Sequence, residues 1–322
     1  MRTAVIGVGY LGRFHAQKYA ALADSELVAI ADPNAATAKA VGSELGVPYC
    51  TDYRELLGRV DAVSVVTPTP THYPIARAFL DSGAHVLVEK PMTVTVDEGR
   101  RLIDAAKAAG RILQVGHLER FNAALLAVQP ILSTPRFIES ARLAPFKQRG
   151  TDVDVVLDLM IHDIDLILSI VRSPVVAVDA IGTSVFSGEI DIANARLRFA
   201  NGCVANATAS RVSLKTERKL RLFQADASYL SVDLHNKVLT VIRKGEGVGA
   251  DGMPQVAIAE QNYEQGDALR DEIEAFLQAA AGTRAPAVTG EDGLLALSTA
   301  ISITEQVESS LRRFAEGTAV KA

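Results

Sequence analysis

Thr3-Ala4-Val5-Ile6-Gly7-Val8-Gly9-Tyr10-Leu11-Gly12 decides how this chain begins to fold. An apolar, partly β-branched run enters a turn with three glycines, and residues 13–22 then read as a helix. Twenty residues beyond Gly12, a second apolar run (Leu27-Val28-Ala29-Ile30-Ala31) ends in Asp32. Each part has a physical task in a dinucleotide-binding turn. Gly7 permits the tight bend, Gly9 lets the backbone approach a pyrophosphate, and Gly12 lets helix and strand pack closely. The first helical N–H groups, with Tyr10 and Leu11 in that turn, present a positive end to phosphates. Asp32 accepts hydrogen bonds from ribose hydroxyls. Its charge repels the extra phosphate of NADP, so NAD is the expected cofactor, with Arg13 and Asn34 able to soften the preference.

Outward from this turn, strands alternate with helices. Residues 62–66, 86–88 and 112–115 read as strands, and residues 74–82 and 96–109 as helices, the second begun by Asp97-Glu98. This predicts an α/β protein that opens with a doubly wound parallel sheet. The alternation stops near Gly116. After Ser173 strands follow one another, at 175–181, 192–199, 203–210, 219–224, 229–234 and 238–243, with Asn201-Gly202 as a hairpin signal. A second, open and mostly antiparallel sheet is expected there. Residues 245–254 read as a glycine-rich exposed loop, and 267–281 and 291–314 as closing helices. The expected domains are residues 1–119 for the dinucleotide and 120–322 for substrate and self-association. An open apolar sheet face needs a cover, and a partner subunit is one candidate.

Composition narrows the function classes. The chain has 322 residues, 48% hydrophobic and 22% charged, as in ordinary globular proteins. A net charge of −5 gives no overall attraction to nucleic acid or to an anionic membrane. Cys50 and Cys203 sit in apolar contexts and read as buried free thiols, with no metal-ligand spacing. Arg2 and Ala21-Leu22-Ala23 imitate a signal peptide, but Arg13, His15, Gln17 and Lys18 interrupt its apolar stretch. No apolar run is long enough to span a bilayer. A cytoplasmic protein is the expectation.

Three clusters carry candidate chemistry. Thr67-Pro68-Thr69-Pro70-Thr71-His72 follows a strand, at the sheet edge where ligands bind, so Thr67, Pro68, Thr69 and His72 are candidate contacts to the ribose and nicotinamide. The same stretch also reads as a proline-punctuated turn with Thr71 capping the next helix. Glu89-Lys90-Pro91 ends another buried strand. Glu89 and Lys90 are candidate cofactor contacts, and Lys90 there can stabilise negative charge on a substrate oxygen, with Glu89 compensating its charge, or it can be a plain surface lysine. Asp154, Asp158, His162 and Asp165 share one face of a predicted helix over 153–171. They form either a solvated stripe or, with Asp158 orienting His162, a general base. No second histidine sits at ligand spacing, so a metal site is not expected.

Together with Gly116-His117-Leu118-Glu119-Arg120-Phe121-Asn122 and Gly290-Glu291-Asp292-Gly293, these motifs resemble the Gfo/Idh/MocA oxidoreductase family along essentially the whole chain. The resemblance implies a Rossmann domain followed by an α/β domain with an open, mostly antiparallel sheet. It implies Lys90, Asp158 and His162 as the catalytic group, and a sugar or polyol substrate. Met160, Ala123 and His117 stand where many relatives have glycine, proline and phenylalanine. The stretch from Arg142 to Lys147, read with residues 151–163, looks most like the nucleotide-sugar branch. That branch implies oxidation of a ring hydroxyl to a ketone, as at the 3-position of UDP-N-acetylglucosamine, with a downstream aminotransferase as possible partner. His117, Arg120, Asn122, Arg142 and Lys147 are the substrate-binding candidates. Basic residues outnumber acidic ones over 111–150 (Arg149 included) and over 211–221, as a diphosphate would favour. Solvated strand and loop charge is the plain alternative. Inositol or aldose oxidation, a non-enzymatic dinucleotide sensor, and a cofactor regenerated in place stay open as alternatives. A homodimer or homotetramer is expected.

Overall fold

The structure is a computed structural model and describes residues 1–147, 153–248 and 253–319. The chain divides into two compact units, residues 1–121 with 267–297 and residues 122–266 with 298–322.

In the first unit, strands β1 (Arg2–Ile6), β2 (Glu26–Ala31), β3 (Tyr49–Cys50), β4 (Ala62–Val65), β5 (His85–Glu89) and β6 (Leu113–Gly116) form a parallel sheet in the order β3-β2-β1-β4-β5-β6. Helices α1 (Tyr10–Ala21), α2 (Ala35–Leu45), α3 (His72–Asp81) and α4 (Val96–Ala109) connect them. Every residue of β4 is buried, as a strand covered on both faces requires. Local chemistry sets the helix ends. Asn34 caps α2, while Thr95 and Glu98 form a reciprocal capping box on α4, which stops at Gly110 with φ 61°. The strand order reverses beside β1, between β2 and β4. A crevice at the carboxyl ends of the strands is the usual ligand site of such a sheet.

The second unit starts with the short helix α5 (Ala123–Leu126) and holds an eight-stranded sheet. Its strands are β7 (Pro135–Leu143), β8 (Val175–Thr183), β9 (Ile192–Phe199), β10 (Val204–Ser210), β11 (Glu217–Gln224), β12 (Tyr229–Asp233), β13 (Val238–Val248) and β14 (Pro254–Asn262). The order is β14-β13-β12-β11-β7-β10-β9-β8, and all pairs are antiparallel except β7 with β10. Burial alternates along β9, with Ala193, Ala195, Leu197 and Phe199 inward. Ala205, Ala207 and Ala209 of β10 are fully buried. Their small side chains let α6 (Ile161–Val171) lie close on the sheet against β7 and β10.

Two strands depart from the sequence reading. The central strand β7 carries Arg136, Glu139 and Arg142, which disguised it as a charged connection. Strand β14 is exposed at every position, so it has no alternation to detect. Of the expected loop, residues 245–248 belong to β13, with an irregular register before Val248 pairs with Pro254 of β14, while residues 249–252 lie outside the described residues, as does Arg149. The unit boundaries also differ from a single break at 119/120. Helix α7 (Ala268–Ala280) returns to the first unit and buries Leu269, Ile273, Phe276 and Leu277 against Val5, Tyr19 and Ile30. Helix α8 (Gly290–Ala319) follows it. No described helix is long and apolar enough to cross a membrane.

Candidate active site

At the end of β1, Gly7 adopts φ 83° and its N–H donates to the Ala31 carbonyl at 2.8 Å. A side chain on Gly12 would collide with the Gly7 carbonyl oxygen, and one on Gly7 would strike the Val66 carbonyl at 2.6 Å. A Cβ on Gly9 would meet nothing within 4 Å. Gly9 also begins α1, and no side chain caps that helix end. Open backbone followed by a helix start without a side-chain cap is what a diphosphate needs. The Asp32 carboxylate has a task the sequence reading missed. It accepts from the Val8 and Asn34 N–H groups, both at 2.9 Å, and so braces the turn itself. Carboxylate oxygens have lone pairs left for ribose hydroxyls. Arg13 is paired with Glu44 at 2.8 Å, and the Asn34 side chain caps α2. Neither is held ready for a 2′-phosphate. These residues fit NAD, which would be held by the turn, the α1 N-terminus and Asp32.

The edge beyond β4 and β5 holds the other expected contacts. Thr71 does not cap α3; its hydroxyl donates to the Thr67 hydroxyl at 2.8 Å and reaches the Pro68 carbonyl at 2.7 Å. Thr67 and Thr69 are half-buried and Pro68 is exposed. His72 was expected to touch the cofactor, but it is 1% exposed and both ring nitrogens face backbone carbonyls. Glu89 is likewise turned inward. Its Oε1 pairs with His15 Nε2 at 3.2 Å, and its Oε2 accepts from the Lys90 N–H at 3.3 Å. Burial acts to raise the Glu89 carboxyl, but the His15 hydrogen bond and charge, with Lys90, hold it below the ordinary range. The other nitrogen of His15 meets Ser64 Oγ, which also meets the Tyr19 hydroxyl. Burial carries the Tyr19 phenol well above its usual pKa. Gly116 leaves room for the Glu89 carboxyl, which a Cβ there would crowd. Sequence reasoning missed His15; the available signal was a polar residue one turn beyond Gly12, on the face that meets the sheet. Lys90 itself is half-buried, and the Lys90–Pro91 bond is cis. His117 is 1% exposed, and Arg120 reaches Asp292 only at 4.0 Å.

In the second unit, the predicted helix over 153–171 is interrupted. Val156–Met160 forms a π turn that leads into α6. The wider turn breaks the expected common face, and π turns of this kind are frequent at functional sites. Asp154 stands outside the turn and caps it, accepting from the Val156 and Leu157 N–H groups at 2.8 and 3.0 Å. Burial raises its pKa despite those donors. Asp163 and Asp165 are each 1% exposed, so the acids form no solvated stripe. Asp158 and His162 alone of the four expected residues stay half-exposed. Arg142, expected to serve a diphosphate, lies buried with its Nε and Nη2 on Asp163 at 2.9 and 3.1 Å. Asn122 caps α5 and donates to the Leu234 carbonyl at 2.9 Å, so it also has a structural duty. Lys147 is exposed beside the undescribed residues 148–152.

A doubly wound sheet with this phosphate turn and an acid at the end of β2 defines a dinucleotide-binding protein. Comparison with known proteins agrees. Residues 1–117 match the model of an oxidoreductase family with an NAD-binding Rossmann fold, and residues 134–229 match the Gfo/Idh/MocA C-terminal domain. A UDP-N-acetylglucosamine 3-dehydrogenase from Acidithiobacillus ferrooxidans is 42% identical over 314 residues, 97% of this chain and 99% of that one. Its solved structure superposes with a TM-score of 0.91 over 96% of this chain and 98% of that one, at 41% identity. A scyllo-inositol 2-dehydrogenase (NAD(+)) from Bacillus subtilis is 25% identical over 97% of this chain and 95% of its own length. The chain belongs to the Gfo/Idh/MocA oxidoreductase family. As a member it is an enzyme, which sets the non-enzymatic sensor aside.

Proposed function

We propose that this enzyme oxidises the 3-hydroxyl of UDP-N-acetylglucosamine, or of a close nucleotide sugar, to a ketone. The observation that carries this is the full-length likeness to the Acidithiobacillus enzyme, which far exceeds that to the inositol dehydrogenase. NAD, when bound, supplies the hydride acceptor. His162 takes the hydroxyl proton at an imidazole nitrogen, and Asp158, one turn earlier, orients the ring and favours its charged form. Lys90 donates to the reacting oxygen and stabilises the charge that builds on it. Thr67 and Thr69 contact the nicotinamide side. Arg120 and Lys147 are retained as sugar and diphosphate contacts. Arg142, His117 and Asn122 are given supporting roles, because each is buried, Arg142 against Asp163 and Asn122 against the Leu234 carbonyl.

The same reading includes a homodimer or homotetramer, a cytoplasmic location and an aminotransferase that consumes the keto sugar. Light scattering on the purified protein measures the first. The test of the reaction is turnover with NAD against UDP-N-acetylglucosamine, UDP-glucose, myo-inositol and scyllo-inositol, followed by the absorbance of reduced nicotinamide. The expected product of the preferred reaction is the sugar nucleotide lighter by two hydrogens. A faster reaction with either inositol overturns the assignment. Keto sugar formed only when a second carbonyl sugar is supplied and is reduced to its alcohol, with no reduced nicotinamide in solution, would mean a cofactor regenerated in place.

A further inference from the structure

Prolines surround the two loops that leave β4 and β5. Pro68, Pro70 and Pro91 carry no N–H, so these stretches are short of backbone donors. His72 makes up the shortage. Its Nε2 lies 2.7 Å from the Thr67 carbonyl oxygen and its Nδ1 lies 2.9 Å from the Pro91 carbonyl oxygen. One loop carries Thr67 and the other carries Lys90, so a single buried ring bridges both. The ring is the first residue of α3 and is anchored by that helix, with Ile75, Ala76 and Phe79 buried beyond it. The Thr67 side is tied further by the Thr71 hydroxyl, whereas His72 reaches the Lys90 side through the Pro91 bond.

We propose that His72 is a positioning residue. It holds the Thr67 loop and the Lys90-Pro91 loop at the spacing that cofactor binding and hydride transfer require, without touching NAD or sugar. The idea rests on the roles given above to Thr67 and Lys90. An imidazolium donates to both carbonyls, while a neutral ring donates to one and opposes the other with a lone pair. Burial favours the neutral ring, against the two carbonyls and the charge of Glu89. The neutral ring therefore donates to one carbonyl at a time, each carbonyl facing its own ring nitrogen, and the two amide side chains can supply the two donors separately. Asparagine places its NH₂ near the Nδ1 position, and glutamine places it near Nε2.

The experiment compares His72→Phe, His72→Asn and His72→Gln in the full-length enzyme. NAD affinity is measured by titration, kcat by turnover of the preferred sugar nucleotide, and loop opening by hydrogen exchange over residues 66–73 and 88–95. His72→Phe should lower kcat about thirtyfold, within the range for small misplacement of a reacting group. It should also weaken NAD about fivefold, the scale of one lost hydrogen bond. His72→Gln should recover NAD affinity and exchange protection of the Thr67 loop, yet remain slow. His72→Asn should recover kcat and protection of the Lys90 loop, yet bind NAD weakly. Asn and Gln variants with the same constants and the same exchange would overturn the proposal, as would a Phe variant equal to wild type. If His72→Phe does not fold, the Asn and Gln pair decides alone. Exchange and NAD titration need no sugar substrate, so a wrong substrate assignment leaves these readings standing.

Discussion

The glycine turn of the first unit and the acid-rich segment of the second unit are equally motif-like in sequence, yet they carry information in different ways. Between Gly7 and Gly12 the backbone does the binding. Gly12 answers a steric demand made within a few residues, by its collision with the Gly7 carbonyl, while Gly7 is required by its positive φ and by the Val66 carbonyl, and Gly9 faces open space. Between residues 153 and 171 four aspartates share one chemistry and have four fates. Asp154 caps a turn, Asp158 stays half-exposed, Asp163 neutralises Arg142, and Asp165 is buried. Backbone-driven function is legible in sequence, whereas side-chain function is assigned by the tertiary environment.

The largest expected effect tests whether each unit supplies one reacting group. Lys90→Ala and His162→Ala should each lower kcat about 10³-fold, in the range for general acid–base and electrostatic assistance. Both should leave NAD affinity within about threefold, because neither is assigned to the phosphate turn. Asp158→Asn should be milder, about tenfold, since it acts through the imidazole. Steady-state kinetics with a parallel NAD titration measures these. Near-normal turnover in either alanine variant would remove that unit from the chemistry.

Next in size is the fate of Arg142. Its side chain is 4% exposed and that of Asp163 is 1% exposed. Arg142→Met removes the guanidinium from a buried carboxylate and should cost about 3–5 kcal/mol in urea unfolding. The double variant Arg142→Met/Asp163→Leu should recover most of that loss, because no uncompensated charge remains. If Arg142 instead served a diphosphate, the double variant would be stable yet show a sharply raised KM for the sugar nucleotide. That KM comparison separates a structural ion pair from a binding one.

How much of this was readable follows the same division. The predicted helix over 96–109 coincides with α4, because Thr95, Glu98 and Gly110 are local start and stop signals. Asp32 reads in sequence as a ribose acid, but its bonds to the Val8 and Asn34 N–H groups depend on how the turn folds back. Strand β7 was missed because Arg142 is charged, and its burial is made tolerable by Asp163, which lies 21 residues away. His15 was read merely as an interruption of an apolar run; its partner Glu89 is 74 residues away. The return of α7 to the first unit was invisible for the same reason, since its apolar face does not announce which core it joins.

A smaller effect probes the backbone side of the comparison. Gly9→Ala meets no protein atom within 4 Å, so its melting temperature should match wild type. Its methyl group should nevertheless stand where the pyrophosphate approaches, weakening NAD about tenfold or more. Gly12→Ala should lose both stability and NAD affinity, because its Cβ collides with the turn. Unchanged NAD binding in Gly9→Ala would mean that the phosphates do not lie against this residue.

The smallest effect concerns two buried acids of the second unit that differ in sign. Asp191 accepts three N–H groups and the Ser187 hydroxyl, at 2.6 to 2.9 Å, and pairs with Arg211 at 3.3 Å. Burial acts to raise its pKa, but the Ser187, Val185 and Phe186 donors bring it far below the carboxylate range. Its stabilisation is therefore present above the unfolded value of about 3.9 and is lost only as pH falls through the depressed folded value. Burial raises Asp154 instead, so its charged form is the one disfavoured by folding. The contribution of Asp154 therefore declines as pH rises from about 3.9 through the raised folded value. Asp191→Asn should destabilise at neutral pH, with a deficit that shrinks in acid. Asp154→Asn keeps an oxygen for the Val156 and Leu157 N–H groups and sheds the buried charge. It should be equal to wild type or up to about 1 kcal/mol more stable at neutral pH, and lose that gain in acid. Thermal melts from pH 7 down to about pH 2 read both slopes. Parallel slopes for the two variants would show that donor number does not set these carboxylates apart.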